Sequence, residues 1–524
     1  MRPPHWQPPR ELSLAEQAIV ARIKRAKLFV FLRRVRHELF DGAFQDELAA
    51  IFRDSAEGAC PVPPAQLALV TILQAYTGAS DDEALEALVM DRRWQLVLDC
   101  LDCAAAPLGK GTLVRFRALL IAHDLDRRLV ERTVELAKQR GGFGSRQLRA
   151  ALDSSPLWGA GRVEDTYNLL GHALSKALGV IARQQGRGLA AVAGEAGAAV
   201  VGGSSLKAAL DRDWDEPTAR DDALRVVLAA LDAAEAWLAT QPGAGDDPVV
   251  QASLAAAHEV RAQDVAHSAA GAPVLRQGVA ADRRIAVEDD QMRHGRKSRS
   301  QLIDGYKRHV LCDVATTLVH AVGVTPANAP EATVTDAIAA DLRHQDVVLA
   351  ELHLDRAYLS STLVRDRPAA LAIYCKAWPV QRGDHFPKTA FALDWDAGTI
   401  RCPNGVTQPF AAGGTVHFPA ASCAACPVRD RCTGSTRGRS VAIHPDERLV
   451  AELRERQHTP LGRAKLRERV AVEHTLAHVG HWQGDRARYV GQRKNLFDLR
   501  RCGAVHNLHL LQRQRAEAPP AAAA

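Results

Sequence analysis

Residues 347–358 read VVLAELHLDRAY, and from Ala350 to Asp355 apolar and polar side chains alternate. The apolar positions are Ala350, Leu352 and Leu354, and the polar positions are Glu351, His353 and Asp355. A period of two residues is typical of a β-strand with one buried face. The sequence therefore predicts a strand that ends on Asp355. Its polar face is either an ordinary solvated side or part of a functional site.

A second acid ends another apolar run, because Leu148 to Leu152 directly precede Asp153. Pro156 is predicted to break this strand. Between the two acids, residues 301–313 and 317–325 are rich in Val, Leu, Ile and Thr and predict two strands joined by a turn. Further helical and strand-like segments follow in alternation at 331–342, 360–367 and 371–375. The sequence therefore predicts a central core that contains both strands and helices.

The regions around this core differ from it in composition. Residues 1–145 have helical periodicity and predict a helical N-terminal domain. Within that domain, Gly78 and a Ser80/Glu83 capping box separate two helices, which form either a helix-turn-helix or a plain helical hairpin. Residues 184–281 are Ala-rich and predict a helical insertion that acts as a spacer. The Pro- and Ala-rich tail at 516–524 is predicted to be disordered.

The charge of the chain is unevenly distributed. The net charge is only +6, with 67 basic and 61 acidic residues, so the total is a weak indicator of nucleic-acid binding. Between residues 453 and 516, however, 14 Lys and Arg residues face only 5 Asp and Glu residues. A local excess of this kind predicts a surface that binds a polyanion.

Two features bear on the cellular location. No apolar run approaches the roughly 18–20 residues that a membrane-spanning helix needs. The Pro-rich N-terminus lacks the basic and then apolar order of a signal peptide. We therefore expect a cytoplasmic protein without a membrane partner.

Four of the ten cysteines are clustered, at Cys402, Cys423, Cys426 and Cys432. A Cys-x-x-Cys pair with two further thiolates is able to complete a tetrahedral Zn²⁺ site. Ten cysteines are too few for a disulfide scaffold in so long a chain, so metal binding is the better interpretation. We therefore predict a zinc-binding, Cys-rich insertion at residues 395–440. The alternative is four reduced, partly buried thiols.

Four short motifs carry a resemblance to a known family. They are LDSS (152–155) with GRVEDT (161–166), GRKS (295–298) with DGYK (304–307), LDRAY (354–358), and RVAVEH (469–474) with RARY (486–489). In this order, and in their strand and helix settings, they resemble the bacterial insertion-sequence transposases of the DDE superfamily. The likeness extends from about residue 40 to residue 511.

This resemblance implies an α/β, RNase H-like catalytic core at residues 146–515, in which helices flank a sheet and the two insertions interrupt it. The helical N-terminal domain would help to bind the ends of the mobile element. The implied catalytic residues are Asp153, Asp355 and Glu473, which would hold Mg²⁺ or Mn²⁺. The implied partner is double-stranded DNA, both terminal inverted repeats and target, bound by a homo-oligomer associated with the nucleoid.

The acids suit the chemistry that such an enzyme performs. Water and a 3′-hydroxyl are poor nucleophiles towards a phosphodiester, and the leaving oxygen needs its charge neutralised. Two divalent cations roughly 3.5–4 Å apart meet both needs. Hard cations prefer carboxylate oxygens, so three acids from separate elements are the expected ligands.

Basic residues near these motifs are candidates for contacts with DNA phosphates. The candidates are Arg296, Lys297 and Arg299 in the basic stretch 295–300, and Arg469, Lys307, Arg488 and Lys494 elsewhere. Family members often carry a Lys about two turns after the catalytic Glu, and this chain has Gly480 at that position. Either such a Lys is dispensable, or Lys307, Arg488 or Lys494 takes over its contact with phosphate. The chain also has Ala357 where the family usually has Gly. The stretch 295–300 has a second interpretation as a solvated hairpin end.

Two other functions are compatible with the same residues. One is an RNase H-like nuclease that cuts DNA without joining it. The other is a decayed or domesticated copy that only binds DNA, although three intact acids argue against that alternative.

Overall fold

The computed structural model describes residues 2–54, 60–101, 103–141, 147–297, 301–378 and 383–517. Its N-terminal part is helical, as predicted. The helices are α1 (Leu14–Arg22), α2 (Lys27–Leu39), α3 (Gly42–Ala50), α4 (Pro64–Thr77), α5 (Asp81–Met90), α6 (Arg92–Leu98), α7 (Lys110–Ala122) and α8 (Arg127–Arg140).

The turn between α4 and α5 follows the predicted chemistry. Gly78 has a φ of +75°, a conformation that favours glycine. The Ser80 N–H donates to the Glu83 carboxylate at 2.7 Å and the Glu83 N–H to the Ser80 hydroxyl at 3.2 Å, which confirms the capping box. Helix α4 is buried from residue 64 to 75, and α5 begins with three acids, Asp81, Asp82 and Glu83. A buried helix beside an acidic one favours a plain hairpin over a DNA-reading helix-turn-helix.

A strand and a group of helices follow. They are β1 (Gln147–Trp158), α9 (Thr166–Gln184), α10 (Leu189–Glu195), α11 (Leu206–Leu210), α12 (Pro217–Leu238), α13 (Pro248–Asp264), β2 (Val265–His267) and β3 (Pro273–Leu275). Helices α9–α13 surround a hydrophobic cluster of their own. Helical structure starts at residue 166, before the Ala-rich stretch 184–281, and the end of that stretch contains the hairpin β2–β3.

The next elements complete the main sheet. They are β4 (Arg293–Arg296), β5 (Leu302–Asp313), β6 (Val319–Pro326), α14 (Thr335–His344), β7 (Val348–Leu354), α15 (Thr362–Arg365) and β8 (Ala372–Tyr374). The strand order is β4-β5-β1-β7-β8, and β6 lies beside β5. Strand β5 is antiparallel to β1, β4 and β6, whereas β7 is parallel to both β1 and β8. The predicted strands around Asp355 and at 301–325 are confirmed.

Strand β1 is longer than predicted, because it continues past Asp153 and Pro156 to Trp158. The last residue of β1 that pairs with β7 is Leu152. From Asp153 to Leu157 β1 pairs with β5 alone, and proline is tolerated where a strand edge is open; Trp158 forms an isolated parallel bridge with Arg486.

The Cys-rich region forms a small unit of short elements. They are β9 (Ala392–Asp394), β10 (Thr399–Arg401), β11 (Thr407–Pro409), β12 (Thr415–His417), α16 (Ala420–Ala424) and β13 (Ser440–Ala442). A separate hydrophobic cluster, which includes Phe391, Ile400 and Phe418, lies inside this unit.

Four helices end the described chain: α17 (Glu447–Arg456), α18 (Pro460–Glu468), α19 (Val470–Gln483) and α20 (Gln492–Glu517). Helix α20 contacts α4 and α8 on one side and β6 on the other. Buried residues of the N-terminal helices, the sheet and α20 form one continuous cluster. The predicted disordered tail lies outside the described residues, except for positions 516 and 517 at the end of α20.

Several arginines of the basic C-terminal region are inside the protein. Arg501 is fully buried and pairs with Asp498 on the same helix. Arg493 and Arg500 both bind Asp126, whose side chain is also fully buried. The excess of basic residues at 453–516 is therefore only partly a surface property. None of the helices in the described part of the chain is both long and apolar enough to span a membrane.

The pairing of Asp126 with two arginines predicts a large effect of Asp126→Asn on stability. The variant keeps the shape of the side chain but removes the charge opposite a buried Arg500. Breaking a buried ion pair from one side costs about 3–5 kcal/mol. We therefore expect the midpoint of thermal unfolding to fall by several degrees. Asp124→Asn is the control, since Asp124 binds the same arginines but is 55 % exposed. Equal effects of the two substitutions would contradict this account.

Candidate active site

The parallel pairing of β1 with β7 defines one face of the sheet. Arg149 pairs with Glu351, Ala151 with His353, and Leu152 with Leu354. Asp153 and Asp355 each come one residue after the last pair. Because side chains alternate along a strand and adjacent strands lie about 4.8 Å apart, the two acids are neighbours on the face that carries Arg149 and Glu351.

Helix α19 brings the third acid to this face. Val472, Leu476 and Val479 are buried in the cluster that also contains Ala151 of β1. Val470, at the start of the helix, is 44 % exposed. Glu473 is therefore on the outer side of the helix, where 51 % of its side chain is exposed.

Arg469 connects two of the acids directly. Its Nη1 donates to Asp153 Oδ2 at 2.6 Å and its Nη2 to Glu473 Oε1 at 2.9 Å. The i, i+4 spacing of Arg469 and Glu473 puts both on one side of the helix, as the sequence indicates. The structure thus brings Asp153 and Glu473 together on one guanidinium, with Asp355 beside Asp153.

The environment of Asp153 is unfavourable for its negative charge. Burial raises the pKa of Asp153; Arg469 and the Ser154 N–H lower it, and the neighbouring Asp355 and Glu473 raise it further, with a net increase. Asp355 is exposed, and its Oδ1 accepts a hydrogen bond from the Arg356 N–H at 2.6 Å. A buried carboxylate whose ionisation is opposed by two neighbouring carboxylates is a common feature of functional sites.

The opposite face of the sheet supports the same two strands. His309 of β5 is fully buried, and its ring nitrogens contact the Tyr358 hydroxyl at 2.8 Å and the Thr325 hydroxyl at 2.9 Å. Burial lowers the pKa of His309 to about 3, so the ring is neutral. Burial also raises the pKa of Tyr358 well above its usual range, while a hydrogen bond with Ser154 lowers it. The hydrogen bond between Tyr358 and Ser154 thereby connects the segment after Asp355 to β1, the strand that carries Asp153.

The polar face of β7 is not an ordinary solvated side. Only 1 % of the His353 side chain is exposed, and its ring stacks on Tyr374 with centroids 4.9 Å apart. Glu351, His353 and Glu468 have ligand atoms that all lie within 4.8 Å of one another. Lys465 and Arg149, however, already bind the two glutamates. Partial burial raises the pKa of Glu351, but hydrogen bonds from Lys465, Arg149 and His353 outweigh it and hold that pKa at about 2.

Arg308 is a residue of this face that the sequence analysis missed. A Cβ atom at Gly480 would lie 3.5 Å from the Arg308 guanidinium. That guanidinium donates to the Ser155 hydroxyl, the Pro156 carbonyl, Gln483 and the Gly484 carbonyl at 2.9–3.1 Å. Arg308 therefore joins β1 to the end of α19, and each of its three guanidinium nitrogens donates inside the protein. Arg308 reaches α19 because it pairs with Ser155 of β1, and the residues around Arg308 in the sequence do not predict this pairing.

Family comparisons agree with this arrangement. A transposase DDE-domain model matches residues 274–375, a second one matches residues 401–512, and a model of a transposase domain matches residues 20–119. The chain belongs to the insertion-sequence transposases of the DDE type. The two DDE matches include Asp355 and Glu473, whereas Asp153 lies outside all three. Neither a curated protein nor a solved structure matches the chain significantly.

The basic residues predicted to contact DNA have different surroundings in the transposase. Lys307 is 8 % exposed, donates to the Ala329 carbonyl at 2.8 Å and pairs with Glu331 at 3.1 Å. Arg488 donates to the carbonyls of Gly78 and Ala79 in the α4–α5 turn. These bonds argue against Lys307 as a phosphate ligand and give Arg488 a structural task.

Other candidates for DNA contact remain at the surface. Lys494 is exposed on α20, and Arg296 and Lys297 are exposed at the end of β4. Arg469 is 28 % exposed, but it forms ion pairs with Asp153 and Glu473, which are both carboxylates of the site. Arg299 lies outside the described residues, so its predicted role is untouched by the structure.

All four clustered cysteines line one small cavity in the Cys-rich unit. Burial raises the pKa of the Cys432 thiol; Arg439 opposes this shift, and Cys423, Cys402 and Cys426 add to it. The other three thiols are therefore close enough to Cys432 to affect its ionisation. Soft sulfur donors in a tetrad are the ligand type that a structural Zn²⁺ site uses.

The bond between His309 and Tyr358 predicts that Tyr358→Phe destabilises the transposase. The substitution leaves a buried imidazole nitrogen without its hydrogen-bond partner, which costs about 1–3 kcal/mol. We expect a lower midpoint of thermal unfolding. Tyr374→Phe serves as the control, because that ring is only half-buried and its stacking on His353 is kept. Identical midpoints for the two variants would refute the structural role of the Tyr358 hydroxyl.

Proposed function

We propose that the protein is a DNA transposase that binds the ends of a mobile element, cuts phosphodiester bonds in a metal-dependent reaction and transfers the cut strand to target DNA. The observation that carries this proposal is the convergence of Asp153, Asp355 and Glu473 on one face of the sheet around Arg469. The three acids come from two adjacent parallel strands and a helix across them, although 202 and 118 residues separate them in sequence.

The fold we propose for the catalytic domain is RNase H-like. Its support is a mixed sheet flanked by helices, with the first acid on the central strand and the second at the end of the parallel neighbour. In this proposal residues 1–145 form a DNA-binding domain and residues 146–515 the catalytic domain. The helical insertion at 184–281 and the Cys-rich insertion at 395–440 interrupt the catalytic domain.

The three carboxylates fit divalent cations of the Mg²⁺ or Mn²⁺ type. They offer hard oxygen donors, and the pKa of the buried Asp153 is raised by burial and by Asp355 and Glu473. A cation at that position would relieve this unfavourable charge. When bound, the metal activates the attacking oxygen and neutralises the leaving oxygen. The protein's own contribution is to fix the positions of the acids. Strands β1 and β7 hold Asp153 and Asp355, and Arg469 holds Glu473 towards Asp153.

Contacts with DNA would come from cations in several parts of the chain. Arg296, Lys297, Arg299 and Lys494 would neutralise phosphates, and Arg469 would do so beside the acids. Helix α5 carries Asp81, Asp82, Glu83 and Glu86, so its acidic face is a poor phosphate-binding surface. The proposed partners are terminal inverted repeats and target DNA, bound by a homo-oligomer.

The first test separates binding from chemistry with Asp355→Asn. This variant keeps the shape of the side chain but removes a charge from a metal ligand. Cleavage of DNA that contains the element's ends should fall by orders of magnitude in Mg²⁺ or Mn²⁺, whereas affinity for the ends should stay within about twofold, because phosphate contacts dominate affinity. Gel assays of binding, cleavage and strand transfer measure all three steps.

Asp366→Asn is the matched control, since Asp366 is an exposed aspartate on the same segment. It should behave like the parent protein in every assay. Full cutting and joining by Asp355→Asn would exclude Asp355 as the second acid. Cutting without any strand-transfer product from the parent would favour a nuclease instead.

The second test concerns zinc in the Cys-rich unit. Metal analysis should find about one Zn²⁺ per chain, since four thiolates complete a structural site. Cys426→Ser should lower this content, and Cys103→Ser should not, because Cys103 is an exposed thiol outside the cluster. If the parent protein contains no zinc, the prediction is wrong and the four cysteines are ordinary reduced thiols.

A further inference from the structure

All three segments that carry the acids also contribute to a single ionic network. Arg149 precedes Asp153 by four residues, Glu351 precedes Asp355 by four, and Glu468 precedes Glu473 by five. On the two strands a separation of four residues keeps the side chains on one face, about 13 Å apart. The network therefore lies along the same face as the acids, at a fixed distance from them.

The bonds of this network join the three segments pairwise. Arg149 Nε donates to Glu351 Oε2 at 2.9 Å, and its Nη2 donates to the Glu468 carboxylate. Lys465 Nζ donates to both oxygens of Glu351, at 2.9 and 2.8 Å. His353 lies beneath these groups, with its Nδ1 3.1 Å from the Lys465 carbonyl oxygen. Strand β1, strand β7 and the end of α18 are thus fastened at one place.

The charges of the network balance without any ion. Two carboxylates, Glu351 and Glu468, face two cations, Arg149 and Lys465. A metal ion bound by Glu351, His353 and Glu468 would meet these two cations at close range. The group is therefore better suited to holding protein segments together than to binding a metal.

We infer that Arg149, Glu351, Lys465 and Glu468 are positioning residues, which set the spacing of the three acids by fixing the segments that carry them. This inference rests on the proposed function. The mechanical connection is short, because Glu468 is followed directly by Arg469, which binds Asp153, and then by helix α19 with Glu473. Small displacements of catalytic groups are costly in rate, so a loosened network should weaken metal-dependent chemistry.

The test uses Glu468→Gln, Arg149→Gln and the double variant in full-length protein. The metal probe is Mn²⁺, titrated in single-turnover cleavage at saturating DNA. Each single variant should raise the Mn²⁺ concentration for half-maximal cleavage by about tenfold, as changes to groups behind metal ligands do. The effects should add less than fully in the double variant, because the two residues share a contact. Affinity for DNA should change by less than about twofold.

Glu455→Gln, an exposed glutamate on α17, is the control and should match the parent protein. Lys465→Gln replaces Glu468→Gln if the latter does not fold. A folded variant with the Mn²⁺ requirement and cleavage rate of the parent would overturn the inference, and so would effects that add fully. Asp355→Asn in the same assay distinguishes failure of the proposed function from failure of the positioning role. If Asp355→Asn cuts DNA normally, the proposed function is wrong. If Asp355→Asn is inactive and Glu468→Gln cuts normally, only the positioning role is wrong.

Discussion

The regular pairing of Arg149–Leu152 in β1 with Glu351–Leu354 in β7 is the constraint on which the rest of the site depends. A slip of one residue would turn Asp355 to the opposite face and separate it from Asp153. Register is strongly specified here because both faces have fixed neighbours. One face contacts helix α19 and the network of Arg149 and Glu351; the other contacts His309 and Tyr358. Since both acids come directly after the paired segment, small changes in this pairing act immediately on the catalytic geometry.

Arg469 resolves a conflict that the acids create. Carboxylates on adjacent strands and a nearby helix repel one another, and burial adds to the cost for Asp153. The guanidinium donates to both Asp153 and Glu473, so it offsets their repulsion and keeps the two carboxylates close together. The ionic network further along the same face uses the same principle, with each carboxylate matched by a cation. The protein thus concentrates charge in two places on one face, and both depend on pairing between distant segments.

Much of the local structure was predictable from the sequence, and most long-range pairing was not. The alternation before Asp355, the hairpin of β5 and β6 and the Ser80 capping box depend on nearest neighbours, so their signals are local. The length of β1 depends on β5, which continues to pair beyond Pro156 after β7 has ended. Likewise, Arg308 beside Gly480, the buried His353 and the inward Arg500 depend on partners over 100 residues away. Counting basic residues could not show that Arg500 and Arg501 are paired inside the protein, or that Arg493 binds the buried Asp126.

Iron-mediated cleavage of the protein backbone tests directly whether Asp153, Asp355 and Glu473 surround one metal site. Fe²⁺ that replaces Mg²⁺ produces hydroxyl radicals in the presence of ascorbate and peroxide, and these cut the chain close to the metal. If the three acids surround one metal ion, the chain should be cut near residues 153, 355 and 473 together, and excess Mg²⁺ should suppress all three cuts. Cuts near only one of these positions, or near residues 351 and 468 without 473, would contradict this arrangement.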